Sequence, residues 1–149
     1  MRKISKTITN PTIYNKLLTF LDQYGENGLL DALNIYTESH QKYICKTKTS
    51  ITKLNIYDIY YITIHGHNIK VHTEQNVYRK YGSLSQELKI LADHGFIKCS
   101  QSCIVSLNKI KQIVRDDIIL LDGTKLHISK NYITSVLIAY NQQKAIPYN

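Results

Sequence analysis

The stretch IYDIYYITIHGHNIKVHT, residues 56–73, decides the fold class. β-Branched and aromatic residues dominate both of its halves, and these residue types favour strands. Between the halves lies His65-Gly66-His67-Asn68, and a short polar segment that contains glycine is typical of a hairpin loop. The stretch therefore predicts two short strands joined by a hairpin loop, and it favours a mainly β protein.

Segments of the same character continue on both sides of this hairpin. They begin at about residue 41, and Asn, Asp, Gly and Ser punctuate them. Asp122-Gly123 separates the last two segments, and this dipeptide is preferred in two-residue hairpin turns. The further predicted strands are KYICKT, SITKLN, NVYRKY, IKQIVR, DIILL and TKLHIS.

Two helices are predicted within this β-rich part. The first begins at Ser83, where Gln86 three residues later completes a capping box, and Gly95 closes it. The second runs from about residue 131 to residue 141. Its inner face is predicted to carry Tyr132, Val136 and Tyr140.

A separate helical segment is predicted ahead of the β-rich part. Asn10-Pro11 offers an N-cap residue followed by proline at the first helical position, and Gly25 ends the first run of helically spaced apolar residues. Leucines at helical spacing predict a second short helix. Together they indicate a small helical hairpin over residues 10–38, whose apolar face packs against the main domain or a partner.

The net charge of +8 is unevenly distributed along the 149 residues. Residues 1–40 hold equal numbers of basic and acidic side chains, so the whole excess lies in the remainder. A unit this basic attracts polyanions such as nucleic acids. A protein with a merely basic pI explains the charge equally well at this point.

Composition excludes several classes of protein. No apolar run approaches the roughly 20 residues of a membrane span, and the basic N-terminus lacks the apolar segment of a secretory signal. Three cysteines, an odd number, fit reduced thiols better than a disulfide framework. A cytoplasmic location is therefore expected.

The segment FIKCSQSCIVSLNKI, residues 96–110, raises the question of a chemical site. Strand alternation is expected to place Cys99 and Cys103 in different environments, which disfavours a metal or redox role. Asp116-Asp117 are expected to point to opposite faces and so not to share a proton. We therefore expect no enzyme activity, no bound metal and no cofactor.

The same segment fits contact with a polyanion. Lys98, Lys109 and Lys111 flank it, and Ser100, Gln101 and Ser102 are compact hydrogen-bonding side chains suited to phosphate or base edges. An ordinary polar loop remains the alternative from these residues alone.

Four landmarks in order resemble one known family, the LytTR DNA-binding domain of bacterial transcription regulators. Over residues 40 to 140 they are IYDIYYITIHGHNIKVHT, YGSLSQELKIL, HGFIKCSQSCIVSLNKIKQI and ILLDGTKLHISKNY. The resemblance implies a mainly β (α+β) fold of short packed sheets with a few helices. It also implies that loops, rather than a recognition helix, enter successive major grooves, often at direct repeats near promoters.

Matched position by position, the resemblance implies three DNA-contacting loops. The first carries His67 with its neighbours His65 and Asn68, and the second carries Ser100-Gln101. The third carries Lys130 and Asn131, where backbone N–H groups at a helix start suit a phosphate. Lys98 and Lys80 are further choices as phosphate contacts.

The chain departs from the family pattern at a few positions. Ser100 stands where histidine is common, Cys103 where an aromatic residue is common, and Ser106 where asparagine is common. The first departure predicts less selective base reading at this position, because a hydroxyl reads bases less selectively than a bidentate side chain. We expect Cys103 and Ile104-Val105 to be core, while Ser100-Gln101 face outward.

The expected organisation is an N-terminal helical extension at residues 1–39 and a LytTR-like domain at residues 40–149, without a receiver domain. The expected function is a stand-alone, sequence-specific regulator that binds double-stranded DNA. A homodimer on DNA, an inhibitory membrane protein and RNA polymerase are further expected partners. The alternatives are a protein-interaction module or anti-activator of the same fold, an RNA binder, and a thiol redox-sensing regulator.

Overall fold

A computed structural model describes residues 8–39 and 41–143 of the chain, which divides into two units between residues 40 and 41. The N-terminal unit is one helical stretch, α1 (Pro11–Ser39), interrupted at Gly25. Gly25 has φ 75° and ψ −178°, a conformation that is essentially reserved for glycine, so the helix is kinked there. Asn10 caps the helix, because its Oδ1 accepts hydrogen bonds from the Thr12 and Ile13 N–H groups at 2.9 and 3.3 Å. The predicted start and break are confirmed.

Within residues 41–143, the second unit has ten strands and two α-helices, and the strand pairs are all antiparallel. Three sheets result, with strand orders β1-β2, β5-β4-β3-β7-β6 and β10-β9-β8. The strands of the first half are β1 (Lys42–Lys46), β2 (Ile51–Asn55), β3 (Ile59–His65), β4 (Asn68–Thr73) and β5 (Val77–Tyr81). Those of the second half are β6 (Phe96–Ser100), β7 (Cys103–Ser106), β8 (Ile110–Val114), β9 (Asp117–Leu120) and β10 (Lys125–His127). The predicted mainly β fold is confirmed.

The two helices of this unit follow the predicted signals. Helix α2 (Leu84–Leu91) begins after Ser83, whose hydroxyl accepts a hydrogen bond from the Gln86 N–H at 3.3 Å. A 3₁₀ turn extends it to Gly95, which has φ 79°. Helix α3 (Ile133–Gln142) follows a 3₁₀ turn at Lys130–Tyr132.

The five-stranded sheet separates two apolar cores. On one face, Ile62, Ile69 and Ile104 pack with the β1–β2 hairpin and with leucines of α2. On the other face, Cys103 and Val105 pack with the three-stranded sheet and with Val136 of α3. This second layer covers the β6 and β7 part of the sheet.

A β-bulge in β6 corrects one expectation about the cysteines. Lys98 pairs with Ile104 and Ser100 pairs with Cys103, so Cys99 is an extra residue without a register partner. The extra residue changes which face of the sheet the side chains of β6 point to. As a result, Cys99 and Cys103 are buried in the same core. The expectation that they occupy different environments is wrong, whereas the expectation that Cys103, Ile104 and Val105 are core is confirmed.

Ile104→Ala tests the central position of β7. Ile104 is fully buried, so we expect its truncation to lower the free energy of unfolding by about 2–5 kcal/mol. Ile44→Ala removes the same atoms from a side chain that is 51% exposed, and it should change stability by no more than about 0.5 kcal/mol. Urea denaturation of both variants measures the difference, and equal losses would contradict this core assignment.

Candidate nucleic-acid interface

The first predicted loop is a two-residue turn at one edge of the five-stranded sheet. His65 and Asn68 are register partners at the ends of β3 and β4, so Gly66 and His67 form the turn. Gly66 has φ 63°, the sign that a II′ hairpin turn needs at its first central position. The side chains of His65, His67 and Asn68 are all exposed. The chain thus presents three polar side chains from one rigid hairpin end.

The second loop leaves the same edge beside the first. Gln101 and Ser102 connect β6 to β7, and β7 pairs with β3. The Ile64 N–H donates a hydrogen bond of 3.0 Å to the Ser102 carbonyl, which extends this pairing up to the turn. The Ser100 hydroxyl accepts a hydrogen bond of 3.2 Å from the Ser102 N–H, and this bond stabilises the conformation of the loop. Gln101 is exposed and Ser100 is half-buried, so the expectation that Ser100 faces outward holds only partly.

A backbone hydrogen bond joins the third loop to the strand that leads into the second loop. The Ser129 N–H donates a hydrogen bond of 2.9 Å to the carbonyl of Cys99, the bulged residue of β6. Lys130 and Asn131 follow directly and are exposed. The structure therefore brings the three predicted loops together at one edge.

Lys98 lies beside the third loop. Its ammonium is 5.8 Å from the ring centroid of Tyr132, within range of a cation–π contact, and the residue is half-buried. The Lys98 side chain thus contacts the loop that carries Lys130.

Lys80 is a correction to the predicted phosphate contacts. Its ammonium forms an ion pair with the carboxylate of Glu87, which is buried, and lies 4.6 Å from the ring centroid of Tyr43. The buried carboxylate and the Tyr43 ring therefore hold the partly buried Lys80 side chain against the core that contains Tyr43. Lys80 is therefore a structural residue.

Lys109 is a second correction among the flanking lysines. It is only 8% exposed, and its ammonium lies 4.1 and 5.1 Å from the ring centroids of Tyr57 and Tyr60. Burial lowers its pKa, and the carboxylates of Asp58 and Glu74 partly oppose that effect. Because Lys109 follows β7, it lies at the end of the sheet away from the three loops. Lys111, by contrast, is exposed.

Asp116 and Asp117 do not diverge as predicted. His127 Nδ1 lies 3.8 Å from Asp116 Oδ2 and 3.4 Å from Asp117 Oδ1, so both carboxylates approach one imidazole. The turn between β8 and β9 explains this convergence, because Arg115 takes φ 58° and turns the chain sharply. The three side chains are exposed or half-exposed, which is typical of a solvated ion-pair cluster.

Cys99 and Cys103 flank the second loop and are both buried. The interaction between their thiols lowers the pKa of Cys99, whereas the same interaction and burial raise the pKa of Cys103. The pair belongs to the second core rather than to the exposed edge.

Two cationic side chains near the edge had no predicted role. Lys70 in β4 and Arg79 in β5 are exposed and stand directly opposite each other. The alternation of each strand could have indicated that they are exposed. Only the strand register shows that they are neighbours.

Comparison with known proteins identifies the family of the chain. The family model described as "LytTr DNA-binding domain" matches residues 49–139, so the chain belongs to the LytTR family of DNA-binding domains. It is a DNA-binding regulator, and the family is not one of enzymes. Within the described residues, no helix is both long and apolar enough to cross a membrane.

A solved structure has the same fold. It is the "LytTr DNA-binding domain of putative methyl-accepting/DNA response regulator from Bacillus cereus", with 21% identity and a TM-score of 0.60. The match covers 66% of this chain and 94% of that one. No curated protein matches the chain.

Lys80→Met tests the structural role of Lys80. It leaves the Glu87 carboxylate buried without its cation, so we expect the free energy of unfolding to fall by about 3–5 kcal/mol. Lys80→Met combined with Glu87→Leu removes both charges and should recover most of the loss. Thermal and urea denaturation measure both variants. Normal stability of the single variant would show that the Lys80–Glu87 ion pair does not stabilise the fold.

Proposed function

We propose that this chain is a sequence-specific regulator that inserts loops into successive major grooves of double-stranded DNA, at direct repeats near promoters. One observation carries the proposal: two backbone hydrogen bonds, Ile64 to Ser102 and Ser129 to Cys99, gather three loops with exposed polar and cationic side chains at one edge. The major groove, about 12 Å wide, admits a two-stranded β ribbon.

The side chains at the edge suggest a division of roles. The Gln101 amide offers both a donor and an acceptor, which suits the adenine edge in the major groove. His67, with His65 and Asn68 beside it, supplies further hydrogen-bonding groups to bases or backbone. Lys130 and Lys98 suit phosphates, and Ser100 suits either partner. The backbone N–H groups of Lys130 and Asn131, at the start of the 3₁₀ turn, add donors for phosphate.

Lys130→Ala tests the phosphate contact. We expect weaker binding to every duplex, because phosphate contacts carry no base sequence, and a salt slope reduced by about one unit. Fluorescence anisotropy with DNA from upstream of the chain's own gene, titrated at two or more salt concentrations, measures both effects. Lys89→Ala is the matched control, because it removes an exposed lysine from α2.

Gln101→Ala tests base reading. We expect a loss of about 1–3 kcal/mol for the preferred sequence and little change for unrelated DNA, so the ratio of the two affinities should fall. Gln112→Ala, at an exposed position of β8, is the matched control. If both Lys130→Ala and Gln101→Ala bound like wild type, the interaction-module alternative would replace DNA reading at this edge.

The remaining parts of the chain complete the proposal. Residues 40–149 would carry DNA binding in the cytoplasm, and the helical extension at residues 1–39 would serve contact between copies on DNA or with a partner. An inhibitory membrane protein and RNA polymerase stay predictions as partners. Deletion of residues 1–38, followed by measurement of oligomeric state, DNA affinity and partner binding, tests the extension. If oligomeric state, DNA affinity and partner binding all stayed the same, the role proposed for the extension would be wrong.

A thiol-responsive regulator is the second candidate, favoured by the burial of Cys99 and Cys103 in one core and by the interaction between their thiols. A peroxide would oxidise the two thiols to a disulfide and be reduced to water, which would reshape the loop above them. We expect peroxide to lower DNA affinity of the wild type and not of the Cys99→Ser, Cys103→Ser double variant. The same response in both proteins would exclude this candidate.

A further inference from the structure

Strands β4 and β5 present an open sheet face that continues from the predicted DNA-contacting edge. Their register sets three cross-strand pairs on this face, and the alternate positions Ile69 and Val71 point into the first core. Five of the six residues are exposed, and His72 is half-buried. In order from the edge, the pairs are Asn68 with Tyr81, Lys70 with Arg79, and His72 with Val77.

The charge on the open sheet face is of one sign. None of its six residues is acidic, and Glu74 lies in the β4–β5 connection at the opposite end of these strands. Lys70 stands directly opposite Arg79, and like charges at such a position destabilise a sheet. A polyanion placed over the two cations would attract both of them and offset this repulsion.

The distance from the edge indicates which polyanion groups would meet these cations. Lys70 lies two residues from Asn68, which at about 3.3 Å per residue is about 7 Å from the edge. The major groove is about 8.5 Å deep, so a loop seated in it brings residues at this height to the groove rim, where the phosphates lie. His72 and Val77 lie about 13 Å from the edge by the same measure, beyond the rim.

We propose that Lys70 and Arg79 form a binding site for the phosphodiester backbone that borders the groove entered by the His67 turn. This inference rests on the proposed insertion of the loops into DNA. Arg79 can hold a phosphate in bidentate fashion and Lys70 acts as a point charge beside it. Tyr81 is 65% exposed and pairs with Asn68 at the edge, so its hydroxyl offers a further donor to the same DNA backbone. The two cations thus neutralise phosphates rather than read bases.

An aromatic residue on a sheet also suits stacking by unpaired bases. Tyr81 is exposed, but the ring of His72 is already stacked on Tyr61, with centroids 4.0 Å apart, and its Nε2 is 3.0 Å from the Thr63 hydroxyl. A face with one free aromatic ring lacks the paired platform that single-stranded nucleic acid needs. Duplex DNA is therefore the favoured partner of Lys70 and Arg79.

The test compares full-length proteins of equal net charge. The Lys70→Ala, Arg79→Ala variant and the Lys53→Ala, Lys89→Ala control each lose two exposed cations. In anisotropy titrations across 50–200 mM salt, we expect the salt slope of the first variant to fall by about two units, since each phosphate contact contributes about 0.9. The control should keep the wild-type slope. The preference between target and unrelated duplex should be the same in all three proteins.

Three outcomes decide the question. If Lys130→Ala weakens binding but the Lys70 and Arg79 variant keeps the wild-type salt slope, the edge binds DNA and this face does not. If the wild type binds no duplex, both this site and the proposed function are overturned. If the variant loses binding to single-stranded oligonucleotides and keeps duplex affinity, the face is a single-strand platform and the phosphate-rim assignment is wrong.

A melting temperature at or above the wild-type value, as expected on removing the like-charge pair, shows that the variant is folded.

Discussion

The antiparallel pairing of β3 with β7 is the constraint on which the interface depends. In an antiparallel pair the end of one strand lies beside the start of the other, so the turn after β3 and the turn before β7 leave the sheet at the same edge. The Ile64 to Ser102 hydrogen bond carries the pairing up to both turns. A parallel arrangement would have put His67 and Gln101 at opposite ends of the sheet, with no common surface for a double helix.

The bulge at Cys99 connects packing with the third loop. An extra residue in β6 lies outside the register with β7, and its carbonyl accepts the Ser129 N–H. The same irregularity turns the Cys99 side chain into the second core, where it meets Cys103. Bulges are often found where a strand must redirect a side chain or end its pairing. Here one bulge places the Cys99 side chain in the core and its carbonyl against Ser129, the residue before Lys130.

The positive charge of the chain serves different purposes at different positions. Lys80 neutralises buried Glu87, and Lys109 lies against two tyrosine rings at the far end of the sheet. These two cations belong to the folded scaffold. Lys130 at the edge and the facing pair Lys70 and Arg79 are exposed. Net charge indicates affinity for polyanions in general, and burial and ion pairing show which cations are available for it.

The sequence by itself determined the local elements, because their signals are local. The strand-rich composition, the Asn10-Pro11 helix start and the Ser83 cap each depend on neighbouring residues and predict the structure correctly. Asp122-Gly123 lies between β9 and β10 as expected, in a connection of four residues rather than two. The order of four landmarks also identified the family, whose model matches residues 49–139. Only the tertiary structure decided that Cys99 and Cys103 share a core and that Asp116 and Asp117 converge on His127. It also decided that Lys80 pairs with buried Glu87 and that Lys109 is buried. Each of these outcomes depends on a bulge, a turn or a partner distant in the chain. The alternation of side chains along a single strand cannot reveal such features.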